Sequence, residues 1–330
     1  MPPAIGVWIP IDPDRPLAPP EDRPMGRAAL AARDAGLEVV FGDRWDAGAL
    51  VGMVAEPGGW RSVRRPVVAV QDRFPGQSRA AVWDRLHATS PVVVGNGRPL
   101  TLLCRDKLRC QRTLERDGRL RLPPVEDQPV DFPVRQLAWG GGFAKPRFGA
   151  LGVGVRRVGP TDSVPATLPG VVDGSTDPTL LQWPVPPPRG RAGCVLRVLA
   201  QRIRRPSGRL GWHLLPPVLR DSPTDAVVNA ARGARVGPAE DSLSSVVLDD
   251  VRQAVLHTCA ALSGADDARG VALELGVDVA LDDQLRPWVL EVNTRPRGRL
   301  GVLARRWPER FGVAHTAAML RPWRTLSTFS

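Results

Sequence analysis

The first hundred residues alternate between short apolar runs and longer segments of mixed polarity. The apolar runs predict four strands, at residues 4–9, 37–41, 67–70 and 91–94. Between them, the Ala-rich segment 26–35 and the segment 78–88 have the spacing of amphipathic helices. Because strands that alternate with helices usually pair in parallel, this region predicts a small domain built on a parallel sheet.

The middle of the chain is organised around a glycine-rich turn. A helix is predicted over residues 100–121, and strands are predicted over 136–148 and 152–158, on either side of the turn. A further strand, at 180–183, runs into the segment PVPPPRG, whose prolines indicate a stiff linker and a hinge.

The last third of the chain predicts a second sheet beside one long helix. Residues 194–204 and 211–215 predict a pair of strands. Residues 243–262 predict the helix, since their apolar positions fall mostly on one face. Residues 271–281 and 288–293 predict a hairpin around the turn DDQLRP.

The composition fits a folded protein of the reduced cytoplasm. Hydrophobic residues make up 43% of the 330, and no uncharged apolar run reaches the roughly 18 residues of a membrane span. The first residues lack a basic segment followed by an apolar one, so no secretory signal is expected. The four cysteines form no C-x-x-C pair. We therefore expect a cytoplasmic protein with no membrane partner.

Arginine stands at almost every basic position, and only Lys107 and Lys145 are lysines among the 45 basic residues. Such a skew is typical of a GC-rich genome. A lysine that persists against it indicates a site where a compact ammonium group is needed and a planar guanidinium group does not fit, as around phosphates. The alternative is that two lysines remain by chance.

The net charge of +11 also raises the possibility of a nucleic-acid binder. However, the arginines are spread along the chain, with local clusters only at 202–209 and 295–310. No homeodomain, zinc-finger or RNA-recognition pattern accompanies them. The charge distribution therefore favours a solvated surface and no specific nucleic-acid partner.

The segment FAKPRFGALGVGV places Lys145 at the end of a strand, before a turn that contains Gly149, Gly152 and Gly154. A glycine turn lets backbone N–H groups close over phosphate oxygens, and a nearby ammonium group adds positive charge. The segment lacks the spacing of a Walker A loop. A glycine-rich hairpin with one exposed lysine and no ligand is an equally good interpretation.

The hairpin GVDVALDDQLRPWVLEVNTRP carries the stronger chemical signal. Glu291 and Asn293 lie two residues apart and share one face of a strand. If Leu281 pairs with Trp288 across the turn, Asp278 lies directly opposite Glu291, and two opposed carboxylates repel each other. Mg²⁺ removes this repulsion, because carboxylate and amide oxygens are its preferred ligands. The alternative is a polar face that contacts solvent.

These segments resemble the ATP-grasp superfamily. LEVNTRP with the upstream GVD resembles its magnesium-binding hairpin, and KPRFGALGVGV resembles its central lysine and phosphate-covering loop. RDK at residues 105–107 resembles the segment of its first nucleotide lysine. The two lysines of the chain thus fall on the two lysine positions of that fold. The resemblance implies an α/β (α+β) protein with an ATP-grasp fold and an N-terminal parallel-sheet pre-ATP-grasp domain.

The chain is most similar to the YheC/YheD family. The matching residues, in order, are Asp72, Arg73, Asn96, Leu181, Gln182, Arg197, Trp212, Arg220 and Asn229. Val195 departs from the pattern, since these relatives often carry Asp there. The resemblance implies a pre-ATP-grasp-like domain at 1–100, a small subdomain or lid with the nucleotide lysines at 101–183, and a C-terminal subdomain with the Mg-binding hairpin at 184–330.

The resemblance also implies the cofactors, ATP and one or two Mg²⁺ ions, and the residues around them. The implied nucleotide-binding residues are Lys107, Lys145, Gly149, Gly152, Gly154, Gln182 and Trp183. The implied metal ligands are Asp278, Glu291 and Asn293. The arginines implied to face the transferred phosphoryl group are Arg197, Arg220 and Arg295.

Such a site implies an ATP-dependent ligase that activates a carboxylate as an acyl phosphate, which an amine then attacks to form a C–N bond. The expected partners are a small-molecule or peptide carboxylate and an amine, and a homodimer is a fair expectation. One alternative is a non-catalytic, spore-coat-like assembly protein that binds Mg-ATP. Another is an arginine-rich nucleic-acid binder, whose interaction would depend strongly on salt and not on Mg-ATP.

Overall fold

The structure is a computed structural model and describes residues 3–11, 17–74, 80–149, 152–170, 174–228, 233–267, 269–296 and 300–329. Within these ranges the chain forms three β-sheets and the helices α1 (Pro24–Asp34), α2 (Ala80–Thr89), α3 (Arg98–Arg105), α4 (Lys107–Glu115), α5 (Phe132–Trp139), α6 (Ser245–Leu262), α7 (Leu300–Arg306) and α8 (Pro308–Leu326). None of the helices described is both long and apolar enough to cross a membrane.

The first sheet contains the strands that the N-terminal pattern predicts. Its strands are β1 (Ala4–Trp8), β2 (Glu38–Asp46), β3 (Ala49–Glu56), β4 (Gly59–Arg65), β5 (Ala69–Asp72), β6 (Val93–Gly95) and β16 (Gly270–Val271). Their order is β16-β6-β5-β1-β2-β3-β4, with parallel pairing from β16 to β2. The edge strand β16 therefore comes from the far end of the chain.

The hairpin β3–β4 is absent from the sequence-based prediction. It pairs antiparallel from Leu50 with Arg65 to Glu56 with Gly59, and Gly58 in its turn has a φ of 80°. Several of its side chains are half-buried or exposed. The β4 segment GWRSVRR is largely polar and gives little strand signal, whereas the β3 segment ALVGMVAE is a clear apolar run that the prediction missed.

The second sheet carries Lys145 and Gln182. Its strands are β7 (Val125–Glu126), β8 (Gly142–Pro146), β9 (Arg156–Val158), β10 (Thr167–Pro169) and β11 (Thr176–Gln182). The strands β8 and β11 pair antiparallel, with Lys145 opposite Leu180 and Gln182 opposite Phe143. Gln182 is the last residue of β11 and lies opposite Phe143, two residues before Lys145 on β8.

The third sheet carries the predicted metal ligands. Its strands are β12 (Gly193–Arg204), β13 (Leu210–Leu214), β14 (Val218–Ser222), β15 (Arg235–Pro238), β17 (Glu274–Leu281) and β18 (Pro287–Asn293). The order is β15-β14-β12-β17-β18, and β13 pairs with the far half of β12. One face packs on α6 and on residues of α3 and α4 in the largest apolar core. On the other face, Leu199 and Val218 pack against α7 and α8 in a smaller apolar core, and the charged residues of β12, β17 and β18 lie beside it.

Two predictions for the middle of the chain are wrong. The helix predicted over 100–121 is two helices that meet at Asp106, whose extended backbone ends α3 and whose side chain accepts a hydrogen bond from Arg109 N at 3.2 Å. The strand predicted over 136–148 starts as helix α5, which ends at Gly140 in the left-handed conformation. In α5 the large apolar residues Val134 and Leu137 are exposed, so its apolar pattern does not mark a buried helical face.

Buried hydrogen bonds join the first sheet to the third. The Asn96 side chain, after β6, donates to the carbonyl oxygen of Glu274 at 2.7 Å and to that of Thr294, and it accepts from Leu273 N and Glu274 N. The Glu274 carboxylate accepts from Arg73 at 2.8 Å and from other buried groups. These contacts fix the start of β17 against the N-terminal sheet.

Candidate active site

The two lysines come together from α4 and β8. Lys145 is 7% exposed, and its Nζ donates to Gln182 Oε1 at 3.0 Å. Lys107 is the first residue of α4, and its Nζ donates to the carbonyl oxygen of Gly149. Both ammonium groups are therefore held by neutral oxygens rather than by carboxylates.

Burial, together with the positive charge of Lys107, lowers the pKa of Lys145 to about 8. The negative charge of Glu291 acts in the opposite direction. The two lysines and Glu291 thus share one electrostatic environment, although they come from three different elements. An anion that binds between the lysines would favour the charged form of Lys145.

A pair that the sequence did not single out fixes both lysines. Arg147 donates to Asp106 through Nε at 2.8 Å and through Nη2 at 2.7 Å. Asp106 precedes Lys107 and caps α4, and Arg147 lies two residues after Lys145. The only sequence signal is that each member of this pair lies next to a lysine motif.

The glycine turn after β8 is shaped by its glycines. Gly152 and Gly154 have φ values of 73° and 72°, which side chains rarely adopt. A Cβ on Gly154 would also lie 2.8 Å from Cγ of Pro146. Gly149 contacts Lys107, whereas the two residues between Gly149 and Gly152 lie outside the described residues.

The end of β11 forms the predicted adenine side of the site. Gln182 is 6% exposed, and its oxygen accepts from Lys145. Its Nε2 is a buried donor that has no partner among the described residues. The Trp183 ring lies against Trp288, with 5.1 Å between ring centroids. A buried amide donor beside an aromatic pair fits a polar, planar ligand such as a nucleobase.

Three charged residues lie in one row across the third sheet. Arg197 on β12 is directly opposite Asp278 on β17, which is directly opposite Glu291 on β18. We call Arg197, Asp278 and Glu291 the charged row. Directly opposed residues share a face, so the three side chains emerge together, with Asn293 two residues along on the same face.

A β-bulge sets this alignment. The predicted pairing of Asp278 with Glu291 is confirmed, but the predicted pairing of Leu281 with Trp288 is wrong, since Leu281 pairs with Pro287. The register shifts by one residue after Asp278, so Leu290 is the extra residue of β18. Without the bulge, Asp278 would face Leu290 instead of Glu291.

The Asp278 carboxylate binds two arginines. Its Oδ1 accepts from Arg197 Nε and from Arg220 Nη2, both at 2.5 Å, and its Oδ2 accepts from Arg197 Nη2 at 2.6 Å. Burial raises the pKa of Asp278, but the charges and hydrogen bonds of the two arginines outweigh it and lower the pKa. The same carboxylate raises the pKa of Arg197 against the effect of burial.

Glu291 and Asn293 have free oxygen atoms for a metal ion. Among the residues that the structure describes, none forms a hydrogen bond or ion pair with the Glu291 carboxylate, which lines a cavity together with Lys107. Asn293 Nδ2 is buried and has no partner in the part of the chain that the structure describes, whereas the Asn293 amide oxygen is the hard ligand that Mg²⁺ prefers. No cluster of three His, Cys, Asp or Glu occurs in the described ranges. These two side chains fit one ion held jointly with phosphate oxygens.

Arg295 lies away from the charged row. Arg295 contacts the N-terminal domain: it donates to the carbonyl oxygen of Phe74 at 2.5 Å, lies 4.0 Å from Asp72 Oδ2, and stacks over Trp83 at 5.5 Å. The structure therefore places it beside the buried Asp72, not in the charged row. Asn229, part of the family pattern, lies outside the described residues.

Residues 196–302 match the family model described as YheC/D-like ATP-grasp. No curated protein matches the chain in sequence. The solved structure of the D-Ala:D-Ser ligase VanG from Enterococcus faecalis is similar, with a TM-score of 0.57, 11% identity, and coverage of 100% of this chain and 99% of its own. The solved structure of the ATP-grasp ligase PsnB, complexed with a precursor variant, Mg and ADP, is also similar. Its TM-score is 0.56, its identity is 15%, and the match covers 98% of this chain and 98% of the PsnB chain.

A third similar structure is D-alanyl-alanine synthetase A from Vibrio cholerae, with a TM-score of 0.55, 15% identity, and coverage of 97% of this chain and 99% of its own. Likeness at such identities shows the fold. The predicted α/β architecture, with its N-terminal parallel sheet, is confirmed.

Proposed function

We propose that this chain, which has the ATP-grasp fold and a YheC/D-like segment, is an ATP-dependent ligase that joins a carboxylate to an amine. The observation that carries the proposal is the convergence of both lysines and Glu291. Lys107 and Glu291 line one cavity, and the charges of both residues act on buried Lys145. This arrangement fits a triphosphate held between two cations and a metal-bound carboxylate.

The nucleotide would lie between the second and third sheets. Lys107 and Lys145 would contact its phosphates, and the turn with Gly149, Gly152 and Gly154 would close over them. Gln182 and Trp183 would contact the base, since Gln182 offers a buried donor and Trp183 an aromatic surface.

Glu291 and Asn293 would hold Mg²⁺, with Asp278 next to them in the charged row. A bound Mg²⁺ ion would neutralise charge on the phosphates. Arg197 and Arg220 would orient the substrate carboxylate towards the γ-phosphoryl group, because their guanidinium groups are fixed on the same sheet face. Exclusion of water by the glycine turn would protect the acyl phosphate until an amine attacks it.

The proposed substrates are a small-molecule or peptide carboxylate and an amine. VanG is named as a D-Ala:D-Ser ligase, and PsnB is complexed with a variant of a minimal precursor. These two neighbours support both a small-molecule and a peptide substrate, and the proposed setting is the cytoplasm.

The experiment is to incubate the protein with Mg-ATP, pooled amino acids and short peptides, and hydroxylamine as a trap for acyl phosphates. ADP and hydroxamate are measured for wild type, Glu291→Gln and the matched control Asp283→Asn. Asp283 is an exposed carboxylate in the turn of the same hairpin. We expect product that depends on an added carboxylate, is retained in Asp283→Asn and falls at least about 100-fold in Glu291→Gln.

Nucleotide binding in the same samples separates the remaining outcomes. If wild type binds Mg-ATP without turnover and Lys145→Met does not bind it, the result would support a nucleotide-binding protein and contradict the ligase proposal. No binding of Mg-ATP by wild type would refute the nucleotide site itself.

A further inference from the structure

The charged row contains two carboxylates, and the structure gives them different partners. We propose that Asp278 is a positioning residue for Arg197 and Arg220 and not a metal ligand, so that the site holds a single Mg²⁺ ion through Glu291 and Asn293. This inference rests on the proposed nucleotide site. It fixes the number of metal ions and assigns the arginines to an anion-binding pair.

The hydrogen bonds of Asp278 leave little capacity for a metal. Arg197 binds both carboxylate oxygens, in a two-pronged arrangement that matches the planar guanidinium group, and Arg220 adds a third hydrogen bond on Oδ1. A carboxylate has about four lone-pair positions, and three are occupied. A metal ion on Asp278 would also lie beside two guanidinium groups, which repel it.

The sequence explains why one carboxylate serves both arginines. The residue directly opposite Arg220 on β12 is Val195, which has no polar group to bind a guanidinium. The side chain of Arg220 therefore reaches Asp278, which lies beyond Arg197 on β17. Because Val195 stands where related proteins often carry Asp, Asp278 binds both Arg197 and Arg220.

The arginines keep donors for a further anion. Arg220 is 8% exposed, and its Nε is buried without an acceptor in the described residues. The negative charge of Glu291 also acts on Arg197, but in this proposal Glu291 is bound to the metal ion, so Asp278 alone faces the two guanidinium groups and leaves them one positive charge in excess. A substrate carboxylate or a phosphoryl oxygen would satisfy both the charge and the orphan donor.

Glu291 has the opposite properties, since its carboxylate is unbound in the described part of the chain and lies in the cavity with Lys107. Neutralising Asp278 should therefore disturb the arginines and spare the metal. Neutralising Glu291 should remove the metal and spare the arginines.

The experiment measures Mn²⁺ binding by electron paramagnetic resonance, with and without a non-hydrolysable ATP analogue. Wild type, Asp278→Asn, Glu291→Gln and the control Asp283→Asn are compared. We expect one Mn²⁺ per chain in wild type with the analogue and an affinity within about threefold in Asp278→Asn. In Glu291→Gln the affinity should fall more than about tenfold.

A reverse variant keeps the test decisive if Asp278→Asn does not fold. Arg220→Met removes one of the two hydrogen bonds on Asp278 Oδ1 and leaves both bonds from Arg197 in place, so Mn²⁺ binding should stay within about threefold of wild type. Arg220→Met should also abolish the increase in ADP formation that an added carboxylate causes in wild type. Restoration of that effect in Arg220→Lys would show that the positive charge at this position is responsible.

Two Mn²⁺ ions per wild-type chain would overturn the inference. Loss of Mn²⁺ in Asp278→Asn to the same degree as in Glu291→Gln would also overturn it and leave the proposed function standing. Absence of any Mn²⁺–nucleotide binding by wild type would refute the proposed function and this metal assignment together.

Discussion

The two lysines, from α4 and the second sheet, and the arginines of the third sheet are held in opposite ways. Lys107 and Lys145 donate to neutral oxygens, those of Gly149 and Gln182, whereas Arg197 donates to a carboxylate. Accordingly, the pKa of buried Lys145 is lowered and that of Arg197 is raised. The lysines have uncompensated charge for an anionic ligand, while the arginines are already oriented by an anion of the protein.

The largest expected effect comes from removing the uncompensated charge. Lys145→Met should weaken nucleotide binding about 100-fold, or about 2.8 kcal/mol, measured by isothermal titration calorimetry. The free energy of unfolding should not fall, because the variant also removes a buried cation.

Lys145→Arg tests whether charge alone is enough at this position. The wide guanidinium fork does not fit where the lysine is 7% exposed, so affinity should fall about tenfold. Equal affinity in wild type and in this variant would contradict the idea that the two lysines are retained for their shape.

The second effect concerns the Asp106–Arg147 pair that aligns both lysines. Asp106→Asn should weaken nucleotide binding up to about tenfold and lower the free energy of unfolding by about 2 kcal/mol, because Arg147 loses its bidentate partner and α4 its charged cap. Urea unfolding of this variant, of Arg147→Gln and of the double variant gives the coupling energy. Additive effects would show that the pair is not a unit.

The third effect is a pH dependence with a defined sign. Lys145 loses its proton as the pH rises through about 8, and bound phosphates favour the protonated form. Affinity for Mg-ATP should therefore fall about eightfold between pH 7.5 and 9, with proton uptake on binding in that range. A Lys145→Met variant should lack this dependence, and an unchanged slope there would assign the titration to another group.

The smallest effect is expected at the aromatic contact beside the base. Trp183→Leu removes the Trp288 contact and should weaken nucleotide binding about fivefold, or about 1 kcal/mol. Phosphate-only ligands such as inorganic triphosphate should bind equally well to wild type and variant. A loss with both ligands would mean that the tryptophans support the sheet rather than the base.

The sequence predicted the positions of the site better than its contacts. Lys107, Lys145 and the hairpin could be identified because each lies in a short motif whose chemistry is local. The partners of Asp278 could not be identified, because they depend on β12 and β14 being neighbours of β17, and strand order has no local signal. The bulge at Leu290 could not be predicted from the sequence either, because one extra residue leaves the apolar pattern of a buried strand unchanged.

The elements were predicted where burial and periodicity agree. The strand pair β12–β13 and the helix α6 match their predictions closely, because the third sheet packs on one side of that helix. The prediction failed at α5, whose outward apolar residues Val134 and Leu137 do not mark the buried face. It failed again at Asp106, where a single capping side chain ends one helix and starts the next.

The position of β16 has a consequence for biosynthesis. Gly270–Val271 completes the edge of the N-terminal sheet beside β6, and Leu320, Trp323 and Leu326 of α8 cover its apolar core. At roughly 5–20 residues per second, a ribosome needs roughly 10–35 s to pass from β6 to β16. During that interval the nascent chain exposes an open parallel edge and an uncovered core. The N-terminal sheet is therefore among the last parts of the described chain to be completed during synthesis, although most of its strands emerge first.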